Sequence, residues 1–153
     1  MNIKQRLDAE VAKRNVIGEV SEDRLDPILV AIRYNDPNIA LICALFSYGN
    51  VTQIVKFLDS LDFSLLQKSD EEIQKSLKNH YYRFQKSEDI VALFIALKRL
   101  NSFTTLEEIF DSAYKKNESI IDGINEMILS LEREYEHKSK GYTFLISQVT
   151  TKT

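Results

Sequence analysis

An all-α fold is predicted by three observations: helical spacing of apolar residues, repeated helix-start signals, and a scarcity of chain breakers. Only 4 Gly and 2 Pro occur in 153 residues, too few for a turn-rich β architecture. No segment sustains the alternation of a half-buried strand. The expectation is a compact multi-helix bundle of about seven helices, with residues 1–138 as one helical domain and 139–153 as a C-terminal tail.

The first segment carries Ile3, Leu7 and Val11 at helical spacing and closes near Gly18, followed by an acidic connector to Asp26. Asp26-Pro27 opens a short helix over Ile28 to Tyr34, with proline at the first helical position, where its missing N–H costs nothing. Asp36-Pro37 repeats that signal. The helix it opens is apolar from Ile39 to Phe46, which predicts burial on nearly every side. Gly49 can end that helix and Asn50 can cap the next, with Gln53 three residues on as the second half of a capping box. Residues 62–67 form a short helix or turn.

Ser69 with Glu72, and Thr105 with Glu108, are further capping-box pairs. Ser87, followed by Glu88 and Asp89 where the helix dipole favours acids, opens the strongly apolar stretch Ile90 to Leu100. A long amphipathic helix follows over 119–136, with Ile120, Ile124, Ile128, Leu131 and Tyr135 inward. The tail resumes an apolar pattern at Tyr142, Phe144, Leu145 and Ile146. That patch is expected to serve self-association or a partner.

Composition narrows function. A net charge of −3 lacks the basic surplus of autonomous nucleic-acid binders. The local basic stretch Lys75, Lys78, His80, Arg83, Lys86 is bracketed by Asp70, Glu71, Glu72, Glu88 and Asp89. No apolar run is long enough to cross a bilayer, and the single cysteine, Cys43, reads as a core residue, so a reducing, cytoplasmic setting is the default. The two histidines have no metal-ligand spacing, and there is no phosphate loop or nucleophile elbow. No catalytic residue, metal or cofactor is therefore nominated.

The Ser47-Tyr48-Gly49-Asn50 corner has two readings: a polar corner on a rigid base that meets a ligand, or a helix joint and nothing more. Tyr81-Tyr82-Arg83-Phe84 likewise reads as stacking rings with a cation or as core anchors.

A family resemblance adds to this. The residues that carry it are Asp26-Pro27-Ile28, the run from Ile39 to Ile54 (Ile-Ala-Leu-Ile-Cys-Ala-Leu-Phe-Ser-Tyr-Gly-Asn-Val-Thr-Gln-Ile), Tyr82-Arg83-Phe84, Glu88-Asp89-Ile90 and Leu106 to Phe110. Together they resemble the first half of the bacterial domain-of-unknown-function 2400 family. Members of that family continue into a Trp-containing basic segment and a Leu-Asp-Thr-His motif. This chain has no tryptophan, so the resemblance implies an N-terminal piece. The family is in turn similar to the helix-hairpin-helix DNA glycosylases. That similarity implies DNA contact by Asn50 and Gln53, with Ser47, Tyr48 and Arg83 beside them, and no catalytic aspartate here. The alternative is a non-catalytic helical protein–protein interaction module.

Overall fold

The computed structural model describes residues 2–149 except 17, 19 and 22. Parts of the expected 18–26 connector, and positions 150–153 of the tail, lie outside the described residues. Among those described there are nine α-helices and a short 3-10 helix, rather than about seven, and no strand. The helices are α1 (Ile3–Arg14), α2 (Ile28–Tyr34), α3 (Pro37–Leu45), α4 (Val51–Asp59), α5 (Asp70–Leu77), α6 (Ser87–Leu100), α7 (Leu106–Asn117), α8 (Ile120–Glu134) and α9 (Lys140–Leu145), with the 3-10 helix at Phe63–Gln67 between α4 and α5. No helix among the described residues is long and apolar enough to cross a membrane.

The starts form as their side chains dictate. Glu72 N–H donates to Ser69 Oγ at 3.2 Å while Ser69 N–H donates back to Glu72 Oε2 at 3.0 Å. Thr105 and Glu108 make the same reciprocal pair, both bonds 3.1 Å. Asp36 caps α3 ahead of Pro37. Each pair satisfies amides that helix geometry leaves without partners.

α6 is the axis of the core: every residue from Asp89 to Leu97 is buried. It packs against α5, the 3-10 helix, α8 and α9, while α7 pairs with α8 and α2 with α3. Asp70 at the start of α5 accepts from Lys98 Nζ at 2.5 Å and Arg99 Nη2 at 2.6 Å, fastening α5 to the end of α6.

Three expectations need correction. α3 is not buried on every side: Ile39, Ile42, Cys43 and Phe46 face the core, whereas Ala40 and Ala44 are exposed. Alanine contributes little apolar area, so that face tolerates water. On α8, Ile120 and Ile124 are exposed rather than inward, although Ile128 and Leu131 are buried; α1, for which no burial was expected, likewise has Ile3, Leu7 and Val11 exposed and no residue buried.

The tail's apolar patch is also not a surface patch. Tyr142, Leu145 and Ile146 are buried, and of the four residues only Phe144 is exposed. Spacing explains this, because positions i, i+3 and i+4 share one face of a helical turn, which here packs into the core, while i+2 points elsewhere.

A buried carboxylate anchors that tail. Asp89, 2% exposed, accepts from Lys86 N–H at 2.8 Å, from His137 Nε2 at 2.9 Å, and from Ser139 Oγ, which in turn caps α9 by accepting from Tyr142 N–H at 2.9 Å. A side chain at Gly141 would place its Cβ 2.3 Å from Asp89 Oδ2, so only glycine permits this approach. Further along, the Asn125 side-chain amide of α8 holds the backbone of Val149, its Oδ1 accepting from Val149 N–H at 2.7 Å and its Nδ2 donating to the Val149 carbonyl at 3.1 Å.

Burial pushes the Asp89 carboxyl up, but the bonds from Ser139, Lys86 and His137 outweigh it and hold the group below its ordinary 3.8. Asp70 is also lowered, by hydrogen bonds from Lys98 and Arg99. Both carboxyls bind protons less readily when folded, so their contribution is complete above the unfolded value and drains as pH falls through the folded one. Urea unfolding at stepped pH is expected to show stability falling below about pH 4. Asp89→Asn should be less stable at pH 7 and show a shallower fall in the acid range.

Candidate functional site

The corner between α3 and α4 is built from backbone constraints upward. Gly49 sits at φ +112°, a conformation that side-chain-bearing residues rarely adopt, and a Cβ there would lie 2.7 Å from Arg83 Nη1 and 3.3 Å from Tyr82 Oη. Asn50 caps α4 by accepting from Gln53 N–H at 3.3 Å. The cap is one-sided: the Gln53 side chain makes no return bond and stays exposed. Ser47 turns back on its own helix and donates to the Cys43 carbonyl at 2.6 Å.

A second segment closes on this corner. Tyr82 and Gln85 form a tight turn through reciprocal backbone bonds of 3.1 and 2.9 Å, with Arg83 in the left-handed region at φ +56°. Tyr82 Oη donates to the Tyr48 carbonyl at 2.6 Å, and Tyr48 Oη donates to Gln85 Oε1. The Gln85 amide then donates to the Gly141 carbonyl at 3.2 Å. The Tyr48 ring meets Tyr82, Phe84 and Phe144 at 4.9 to 6.0 Å between centroids, and the Arg83 guanidinium lies 5.7 Å from its centre. Burial, with the Tyr82 neighbour adding to it, pushes the Tyr48 hydroxyl up to about 12, so it remains a proton donor at physiological pH.

Between α4 and residues 79–83 this leaves an open groove of about 450 Å³. Three of the five sequence-predicted residues share it: Asn50, Gln53 and Arg83. Neither Ser47 nor Tyr48 lines it, and the Tyr48 hydroxyl is engaged by Gln85. Beyond these, Lys56, Asn79, His80 and Tyr81 also line it, His80 and Tyr81 having been read only within the basic stretch and the aromatic run. Lys56 carried a readable signal, since 50, 53 and 56 follow one another along a helix face at the same interval. The other three join only through the tertiary contact of Tyr82 with Tyr48.

The groove's chemistry departs from that of the whole chain. Lys56 and Arg83 line it and no lining residue is acidic, although the net charge of the protein is −3. His80 is oriented by the Ser60 carbonyl, 3.1 Å from its Nε2, and its Nδ1 is buried without a partner among the described residues. Tyr81 is 74% exposed at the rim. The arrangement can hold an anion between amides and cations beside an aromatic face. Among the described residues no group of three His, Cys, Asp or Glu is placed to hold a metal ion.

A family model described as "Protein of unknown function (DUF2400)" matches residues 26–153. Neither a curated protein nor a solved structure matches the chain.

The positive φ of Gly49 makes it a point of leverage on the corner. Gly49→Ala is expected to cost more than about 1 kcal/mol, read by urea unfolding, and to shift the amide resonances of Arg83 and its neighbours.

Proposed function

This chain belongs to the DUF2400 family, and we propose that it is a DNA-directed protein that binds the sugar–phosphate backbone in the groove between α4 and residues 79–83. One observation carries the reading: Asn50, Gln53, Lys56 and Arg83 converge on a groove with no acidic lining in an acidic protein. Phosphates favour amide and cationic donors together, and an acid-free channel avoids repelling them. The exposed Tyr81 ring supplies a face on which a base can stack. The resemblance to helix-hairpin-helix glycosylases supports the same assignment, with Asn50 and Gln53 toward DNA. The proposal covers binding and no bond-breaking step.

Two cations lining one groove imply modest affinity with a shallow salt dependence. Fluorescence anisotropy at low salt, using a duplex with an abasic site, is expected to give binding in the range of roughly 10⁻⁶ to 10⁻⁴ M. Lys56→Ala should weaken it and reduce the salt slope by about 1. Asn50→Asp keeps a capping side chain while placing a negative charge in the groove, so it should fold normally and bind roughly tenfold more weakly or worse. No binding at low salt, or unchanged affinity in both variants, overturns the reading.

A second reading, a non-catalytic interaction module, is favoured by one feature: Phe84 and Phe144 are both about half exposed with ring centroids 4.9 Å apart. Light scattering over a concentration series distinguishes the two, since self-association lost in Phe144→Ser would favour this surface.

A further inference from the structure

At Arg83 the groove adjoins a patch of aromatic rings. The Arg83 guanidinium lines the groove and also lies 5.7 Å from the centre of the Tyr48 ring, which meets Phe84 at 6.0 Å and Phe144 at 4.9 Å. Phe84 and Phe144 touch each other, 4.9 Å between centroids, and each is about half exposed. Phe144 in turn lines a second open depression, of about 570 Å³, with Lys138, Lys140, Thr143 and two serines. No residue lining that depression is acidic. Lys138 pairs at 2.7 Å with Glu136, whereas Lys140 makes no ion pair among the described residues. Two acid-free hollows bearing cations therefore flank a cluster of exposed rings, in a protein of net charge −3.

This order of charge and ring suits a strand whose bases are unpaired. In a duplex the base faces are covered by their neighbours, so exposed rings gain nothing from them. A duplex also presents two phosphate chains, a dense charge that each hollow would meet with only two cations. A single strand carries sparser charge and offers its bases, and alternating cationic channel and aromatic platform is the means by which such strands are held. Tyr81 at the groove rim and Phe84 in the patch are three residues apart, so their Cα atoms lie within about 11 Å of each other. Both platforms are thus within reach of one short stretch of strand.

We propose that the groove, the Phe84–Phe144 patch and the Lys140 depression form one track for an unpaired stretch of DNA. Phosphates meet Lys56, Arg83 and Lys140, and bases stack on Tyr81, Phe84 and Phe144. The inference rests on the groove being a DNA backbone site and adds the form of DNA that it takes.

The test is fluorescence anisotropy of the full chain at low salt with three labelled probes: a short oligothymidine strand, the same strand built from abasic sugars, and a fully paired duplex of equal length. The oligothymidine strand is expected to bind roughly twentyfold more tightly than either of the others. Tyr81→Ala removes an exposed ring, and Phe84→Leu removes a ring while keeping apolar packing against Tyr48. Each is expected to reduce that advantage roughly fivefold, the worth of about one stacked base. Lys140→Ala should lower the salt slope for the strand by about 0.7. Equal affinity for the three probes overturns the track and leaves the groove standing as a backbone site. No binding of any probe removes the reading of the groove, and the track with it. An advantage that survives both ring variants also overturns the proposal; if Phe84→Leu then abolishes self-association in light scattering, the rings meet a second copy of the chain.

Discussion

The site depends on one buried amide. Gln85 is 1% exposed, and its side chain is paired at both ends, accepting from Tyr48 and donating to Gly141. An amide placed so deeply is tolerable only if both its donor and its acceptor are used. Satisfying it therefore brings together three stretches that are far apart in the chain: the corner after α3, the turn before α6, and the start of α9. The groove, the position of Arg83 and the seating of the tail all follow from that closure. Its loss would leave a buried polar group unmatched, which costs about 1–3 kcal/mol, and would open the groove as well.

Electrostatics sorts the molecule in a way the net charge conceals. Carboxylates such as Glu72, Glu108 and Asp36 are used at helix starts, and Asp70 and Asp89 at contacts between elements. Since so many acids are committed to holding helices, the segment lining the groove can be free of them. A net charge of −3 is thus compatible with a local surface suited to anions.

What the sequence made legible was chiefly local. Capping pairs such as Ser69 with Glu72 and Thr105 with Glu108 need only spacing, and they form as read. The burial of α6 was legible too, because its apolar residues leave no polar face over Ile90 to Leu97. Burial of α3 was overstated because a run of small and large apolar residues looks uniform, whereas Ala40 and Ala44 can face water at little cost. The first turns of α8 show a related failure, with Ile120 and Ile124 exposed, since periodicity identifies a face but not whether anything covers it. In the candidate site, Asn50 and Gln53 were legible from the capping pattern, and Arg83 from the basic stretch and the aromatic run as well as from the family resemblance. That His80 and Tyr81 meet the residues of α4 in one groove depends on a hydrogen bond between residues 34 positions apart, which no local pattern encodes.

Gly141 and Asp89 leave each other no spare volume: the carboxylate occupies the space a methyl group would need. Any change that enlarges position 141 must therefore be answered by a smaller or reoriented residue at 89, and Ser139 and His137 would then lose the acceptor they share. Descendants of this chain should accordingly vary at these sites as a unit, drifting together or not at all.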